Sequence, residues 1–195
     1  MPLLRAKELK AVVDKAQIRH ALCDAHLDAE LKLAAQQCTV LQCVRYFNGE
    51  SPDSADSVEA AMACHSAEFT NADTASDDTC IIAFTSGTTG IPKATMHFHR
   101  DVMAICACWP GHVLKPTADD IFIGSPPLAF TFGLGGLVLF PLSVGASTVL
   151  MEKASPSHLL EGIQGFGATV LFTAPTSYRA LASHGEVLRN SALRR

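Results

Sequence analysis

Apolar residues recur along this chain with two different rhythms. Near the start, Leu9, Val12, Val13 and Ala16 fall at i, i+3, i+4 and i+7, one stripe of a helix. Leu27, Leu31 and Ala35 repeat that spacing after Asp24, a residue suited to capping a helix N-terminus, so the first forty residues are predicted to be helical. Residues 40–47 are rich in β-formers and predict a strand closed by Asn48-Gly49. Residues 50–79 are polar, acidic and small. They predict mostly loop, with a short helix around 58–64.

From residue 80 the rhythm changes to alternation. Cys80-Ile81-Ile82-Ala83-Phe84 reads as a buried strand. A helix is predicted at about 98–109, a strand at 121–124, a glycine-rich apolar helix at about 133–143 and a strand at 147–151. A helix starting near Ser155-Pro156 and ending by Gly165 follows, then a strand at 168–173 and a last helix to about His184. Strands alternating with helices at this spacing imply an α/β fold, a mainly parallel sheet flanked by helices. In such sheets ligands bind beyond the carboxyl ends of the strands. The loops at 85–93, 125–133 and 173–177 all follow strands and are predicted to line one crevice.

The first of these loops carries the most specific chemistry. Thr85, Ser86, Gly87, Thr88, Thr89 and Gly90 are followed, past Ile91 and Pro92, by Lys93. Glycines let backbone N–H groups approach an anion, hydroxyls donate hydrogen bonds, and lysine adds a point charge, so the run suits phosphate. It is not a P-loop, because Gly90 and Lys93 are separated by two residues and Ala94 follows the lysine. No dinucleotide-binding Gly-x-Gly-x-x-Gly follows the strand either. The plain alternative is a surface turn.

A second stretch, Pro127-Leu128-Ala129-Phe130-Thr131-Phe132-Gly133-Leu134-Gly135-Gly136, puts two aromatics around a threonine next to glycines. It reads either as packed core or as the wall of an aromatic pocket. His97-Phe98-His99 invites a metal reading, since residues two apart on an extended segment share a face. No third ligand stands at a recognisable spacing, so no metal site is assigned. Lys115, Lys153, Arg194 and Arg195 read as solvated charges.

Composition narrows the classes. The chain has 195 residues, 48% hydrophobic and 17% charged, enough to bury a core. Its formal charge of −4 gives no footprint for nucleic acid. The longest apolar stretch, 134–144, is too short to span a bilayer, and the N-terminus has no secretory hydrophobic region, which places the protein in the cytoplasm. The seven cysteines are odd in number and irregular in spacing, so buried structural thiols are expected rather than disulfides.

Thr-Ser-Gly-Thr-Thr-Gly-x-Pro-Lys resembles the signature loop of the adenylate-forming superfamily, departing from its usual pattern at Ala94, where relatives carry glycine. Residues 79–185 look most like aryl-CoA ligases of the benzoate and 2-aminobenzoate type. The resemblance implies the large N-terminal domain of such an enzyme. It divides the chain into a helical, loop-rich part at 1–78 and an incomplete α/β AMP-binding subdomain at 79–195, with the small C-terminal domain absent. It implies ATP held by Thr85, Ser86, Gly87, Thr88, Thr89, Gly90 and Lys93, with Mg²⁺ and with coenzyme A as cosubstrate. Phe130 falls on the aromatic position that borders the carboxylate, where many relatives have histidine; Thr131, Phe132 and Gly133 would line the acyl pocket. His97 and His99 would sit near the nucleotide region. The substrate implied is an aromatic acid made into an acyl-adenylate and passed to coenzyme A. The family's adenylation lysine lies outside this sequence, so no catalytic residue is assigned and the isolated chain is expected not to complete the reaction. Two other readings stay open: a truncated, non-catalytic nucleotide-binding remnant, and a segment of a peptide-synthetase adenylation domain. The latter would carry an acid near the second motif, which residues 128–136 lack.

Overall fold

A computed structural model describes residues 4–85 and 93–194. The chain forms two compact units, Met1–His99 and Arg100–Arg195. In the first, α1 (Ala6–Ala16) leads to β1 (His20–Asp24), a short 3₁₀ turn (Ala25–Leu27), α2 (Asp28–Ala35), β2 (Cys43–Phe47), α3 (Val58–Ala63) and the strands β3 (Thr79–Thr85) and β4 (Lys93–Phe98). The second runs through α4 (His99–Ala107), a π-turn (Pro110–Leu114), β5 (Ile121–Gly124), α5 (Thr131–Leu134), a second π-turn (Gly135–Leu139) and α6 (Phe140–Val144). It continues with β6 (Ser147–Val149), α7 (Pro156–Phe166), β7 (Val170–Phe172), α8 (Pro175–Ala182) and α9 (Gly185–Arg189).

The second unit shows how sequence period becomes layered structure. Its sheet has the order β6-β5-β7, with both pairings parallel. Side chains alternate across the sheet, so neighbouring residues feed opposite cores. Ile123 and Leu171 pack with Leu159, Ile163 and Leu181 on one face. Phe122, Val170 and Phe172 pack with Leu114 and Leu137 on the other. Such burial on both faces is what parallel strands require. Helix α7 starts where Ser155 accepts a hydrogen bond from the His158 N–H, with Pro156 just inside, and stops at Gly167, whose φ of 62° lies in the left-handed region that favours glycine.

In the first unit Val13, Leu31 and Ala34 form the buried apolar contact of α1 and α2. Strands β1 and β2 pair in parallel. Ser57 caps α3 by accepting from the Ala60 N–H.

Several expectations need correction. The first forty residues are not continuously helical: β1 interrupts them, and Asp24 caps the 3₁₀ turn by accepting from the His26 N–H. Helix α1 carries its stripe, but of the second one only Leu31 and Ala35 lie in α2, Leu27 falling exposed in the 3₁₀ turn, and the alternation of His20–Asp24 is too short to stand out. The strand after residue 79 is not buried; β3 pairs antiparallel with β4, and Cys80 is exposed. The cysteines are not buried thiols: Cys64, Cys80 and Cys108 are exposed and the other four half-buried. The glycine-rich helix begins earlier, at Thr131, and contains a π-turn just before Pro141, which has no N–H to give to the preceding turn. Strands β6 and β7 are shorter than predicted, because their flanks turn into loops, and α9 follows the last predicted helix.

Arg194 is not a free solvated charge. Its guanidinium lies 2.8 Å from Oδ1 of fully buried Asp120, because its backbone N–H is tied to the Thr169 carbonyl. The same carboxylate accepts from the Thr169 hydroxyl at 2.6 Å and from the Thr117 N–H at 2.9 Å. This cluster clamps the amino ends of β5 and β7, away from the strand ends where ligands collect in such sheets.

Candidate functional site

Thr85 and Lys93 are the last residue of β3 and the first of β4, and they stand opposite each other in the register. Both are exposed. They form the mouth of the hydroxyl- and glycine-rich segment, while Ser86, Gly87, Thr88, Thr89 and Gly90 lie outside the described residues. An ammonium and a hydroxyl facing one another at the end of a hairpin make a donor set for an anion. Ala94 sits in regular strand backbone opposite Phe84, with no positive φ, so its Cβ is tolerated there. The two histidines part company: His97 belongs to β4, where its Nε2 lies 3.2 Å from the Thr95 hydroxyl, and His99 opens α4. Among the described residues no group of three His, Cys, Asp or Glu could hold a metal ion.

In the second unit the carboxyl ends of β5 and β7 carry the other constellation. Ser125 and Thr173 follow these strands directly and join them through hydroxyls 2.6 Å apart, reinforced by the Ser125 N–H donating to the Phe172 carbonyl. This brings two of the three predicted strand-end loops together. From Ser125 the chain passes through Pro126-Pro127 and turns at Phe130, whose N–H donates to the Pro127 carbonyl at 3.1 Å. Phe130 then serves as the extended residue ahead of α5, and its carbonyl accepts from the Leu134 N–H.

Gly133 is buried directly under that turn. A Cβ there would lie 2.1 Å from the Pro127 carbonyl oxygen and 2.7 Å from that of Pro126. The turn therefore rests on bare backbone, and this close approach sets where Phe130 and Phe132 emerge. Phe130 is 51% and Phe132 49% exposed, and Thr131 between them is also exposed. Of the predicted pocket residues, Phe130, Thr131 and Phe132 are thus exposed rather than packed core, and Gly133 is buried beneath the proline turn.

Sequence reasoning missed what stands behind Phe132. Phe172, 8% exposed, is the hub of a ring cluster. Phe132 meets it edge-on with centroids 5.9 Å apart, Phe122 stacks on it at 6.1 Å, and Trp109 and Phe140 each lie at 6.1 Å. Gly136 makes room for the hub; a Cβ there would come within 2.7 Å of the Phe172 ring. The only signal in the sequence was a phenylalanine at the end of an apolar strand, which marks core as often as site. Tyr178 of α8 closes the strand end by donating to the Leu171 carbonyl at 2.8 Å. Burial pushes its phenol above the usual value, partly offset by a hydrogen bond from the backbone at Thr173.

The AMP-binding enzyme profile matches residues 1–195. The chain belongs to the AMP-binding enzyme family. Among curated relatives, the benzoate–CoA ligase of Thauera aromatica is 32% identical over 140 residues, covering 71% of this chain and 27% of its own length. The anthranilate–CoA ligase of Pseudomonas aeruginosa is 34% identical over 113 residues, covering 57% of this chain and 22% of its own. Among solved structures, an anthranilate CoA ligase in complex with anthranoyl-AMP superposes with a TM-score of 0.82 at 28% identity, over 90% of this chain and 34% of that one. The chain thus spans about a quarter to a third of these relatives. As an AMP-binding enzyme segment it shares their α/β architecture, and the matched relatives are acid–thiol ligases. Among the described residues, no helix is long and apolar enough to cross a membrane.

Proposed function

We propose that this chain supplies the phosphate-binding hairpin and the aryl-binding surface of an ATP-dependent ligase that activates a benzoate- or 2-aminobenzoate-type acid and passes it to coenzyme A in the cytoplasm. In this reading residues 79–195 carry the nucleotide- and acid-binding part. The observation that carries it is the exposed Phe130–Phe132 pair beside buried Gly133, in a family whose matched relatives include benzoate and anthranilate CoA ligases.

In the first half-reaction a carboxylate oxygen attacks the α-phosphorus of ATP; an acyl-adenylate forms and pyrophosphate leaves. In the second, the coenzyme A thiol attacks the acyl carbonyl, the thioester forms, and AMP and a proton leave. Lys93 and Thr85, with the hydroxyls and N–H groups of residues 86–90, hold the β- and γ-phosphates and steady the charge that builds on the leaving pyrophosphate. Phe130 and Phe132 hold the aryl ring and keep water off the activated carbonyl. Mg²⁺ would shield the phosphates' negative charge.

Calorimetric titration with ATP tests the phosphate assignment. Lys93→Ala is expected to weaken binding roughly tenfold or more, the loss of a charge-assisted contact. Unchanged affinity in that variant would refute the assignment. Loss of ATP binding in Lys93→Ala, with no turnover under any acid by the protein as its source makes it, would favour the non-catalytic nucleotide-binding reading.

A further inference from the structure

Three rings around Phe172 come from two helical runs, each of which contains a π-turn. Trp109 immediately precedes the π-turn Pro110–Leu114, and Phe140 immediately follows the π-turn Gly135–Leu139. Phe132 stands three residues before the second π-turn. A π-turn costs helix hydrogen-bond geometry and is common where a helix must aim a side chain at a site. Both distortions here converge on one ring. They are held by i→i−5 bonds, from Lys115 N–H to the Pro110 carbonyl at 2.6 Å and from Phe140 N–H to the Gly135 carbonyl.

The cluster is not closed core. Phe122 is fully buried behind Phe172, but Trp109 remains 46% exposed and Phe132 nearly the same. Trp109 meets Phe172 edge-on at 75°, and Phe132 does so at 66°. Two half-exposed rings thus contact one buried ring, and one of them, Phe132, directly precedes Gly133 beneath the proline turn. An indole left half in water gives up the burial that normally repays its size, whereas a flat ligand ring laid against it recovers that area and adds edge-to-face or offset contact.

We infer that Trp109 is a specificity-determining wall of the aryl site, selecting flat aromatic acids over saturated acids of the same size. This rests on the aryl-acid reading above. Phe132 and Trp109 each keep about half of their surface exposed, and the edge-on contact with Phe172 fixes their angle. A planar ring gains quadrupolar contact with these rings that a puckered cyclohexane cannot make.

Trp109 is the only tryptophan in the chain, so its emission reports on the site without labelling. The test titrates the protein with benzoate and with cyclohexanecarboxylate by calorimetry, and with 2-aminobenzoate while following energy transfer from Trp109. The wild type is expected to prefer benzoate, and 2-aminobenzoate to quench the indole saturably. Trp109→Leu should narrow the benzoate preference roughly two- to tenfold, while Trp109→Phe keeps most of it. Phe166→Leu, an exposed ring at the end of α7, should change nothing and controls for nonspecific contact. A general loss of packing would weaken both acids alike and leave their ratio unmoved, so the ratio separates specificity from stability. If benzoate binds saturably but Trp109→Leu leaves the ratio unchanged and 2-aminobenzoate does not quench Trp109, the inference is overturned and the aryl-acid reading stands. If no aromatic acid binds the wild type, the aryl-acid reading falls and the inference with it.

Discussion

Gly133→Ala tests the close approach that sets where Phe130 and Phe132 emerge. The added Cβ would meet the Pro127 carbonyl oxygen at 2.1 Å and the carbonyl carbon at 2.6 Å, where ordinary contact is more than 3 Å. Nothing flexible can yield, because the clash is with backbone at two consecutive prolines. Relief requires the Pro126-Pro127 segment to lift by about an ångström, comparable to a core overpacked by a methyl group, which costs about 1–3 kcal/mol. Lifting also stretches the turn bond from the Phe130 N–H to the Pro127 carbonyl, worth about 1 kcal/mol. The sum is a loss of about 2–4 kcal/mol, or roughly 5–15 °C in melting temperature for a chain of this size. Urea denaturation followed by far-ultraviolet circular dichroism reads it. Gly165→Ala is the control: it lies within α7, an added Cβ there meets nothing within 4 Å, and alanine should stabilise by about 0.5–1 kcal/mol. If Gly133→Ala is as stable as the wild type, or both variants behave alike, the close approach is wrong and the placement of Phe130 and Phe132 loses its basis.

Other expectations follow from neighbouring contacts. Phe172→Ala should lose about 3–5 kcal/mol, as for other buried phenylalanines, and should blue- or red-shift Trp109 emission because the two rings touch. Arg194→Met should cost up to about 3 kcal/mol by leaving the fully buried Asp120 carboxylate without its guanidinium, whereas Asp120→Asn, which removes the buried charge itself and leaves only a half-exposed guanidinium, should cost less in the same urea assay. Both tyrosines, Tyr46 and Tyr178, have phenols pushed above the ordinary value of 10 by burial, so absorbance titration near 295 nm should find both above 10 in the folded protein and at 10 in urea. The sign follows: the folded state holds these protons more tightly, so this contribution is full below pH 10 and is lost as pH rises through the folded values. A folded-state midpoint at or below 10 would contradict the burial.

How much of this was legible beforehand depends on the range of the interaction concerned. The helices α1 and α7 and the strand β5 could be read because their periodicity and caps are local: Ser155-Pro156 opens α7 as expected, though the helix runs on past Gly165 to Phe166 and is capped by Gly167. The strand β1 could not, since five residues between two helical stripes carry too little alternation. The antiparallel partner β4 was hidden because Lys93 looked like the end of a loop, whereas pairing across the intervening segment makes it the start of a strand. At the aryl surface, Phe130, Phe132 and Gly133 stood out as a local pattern beside glycines. Trp109 and Phe172 did not, because they come from separate elements and meet only once the sheet and the two π-turns have formed. The Asp120–Arg194 pair spans 74 residues, and no local pattern predicts which charge will be buried.

The most direct test of the central claim uses the protein as its source makes it, incubated with ATP, magnesium and either benzoate or 2-aminobenzoate, with mass spectrometry for the aroyl-adenylate. The account predicts an aroyl-adenylate and equimolar pyrophosphate, conversion to the aroyl thioester when coenzyme A is added, and loss of both products in Lys93→Ala. Adenylate formation from aliphatic acids alone, or aroyl-adenylate formed equally well by Lys93→Ala, would contradict it.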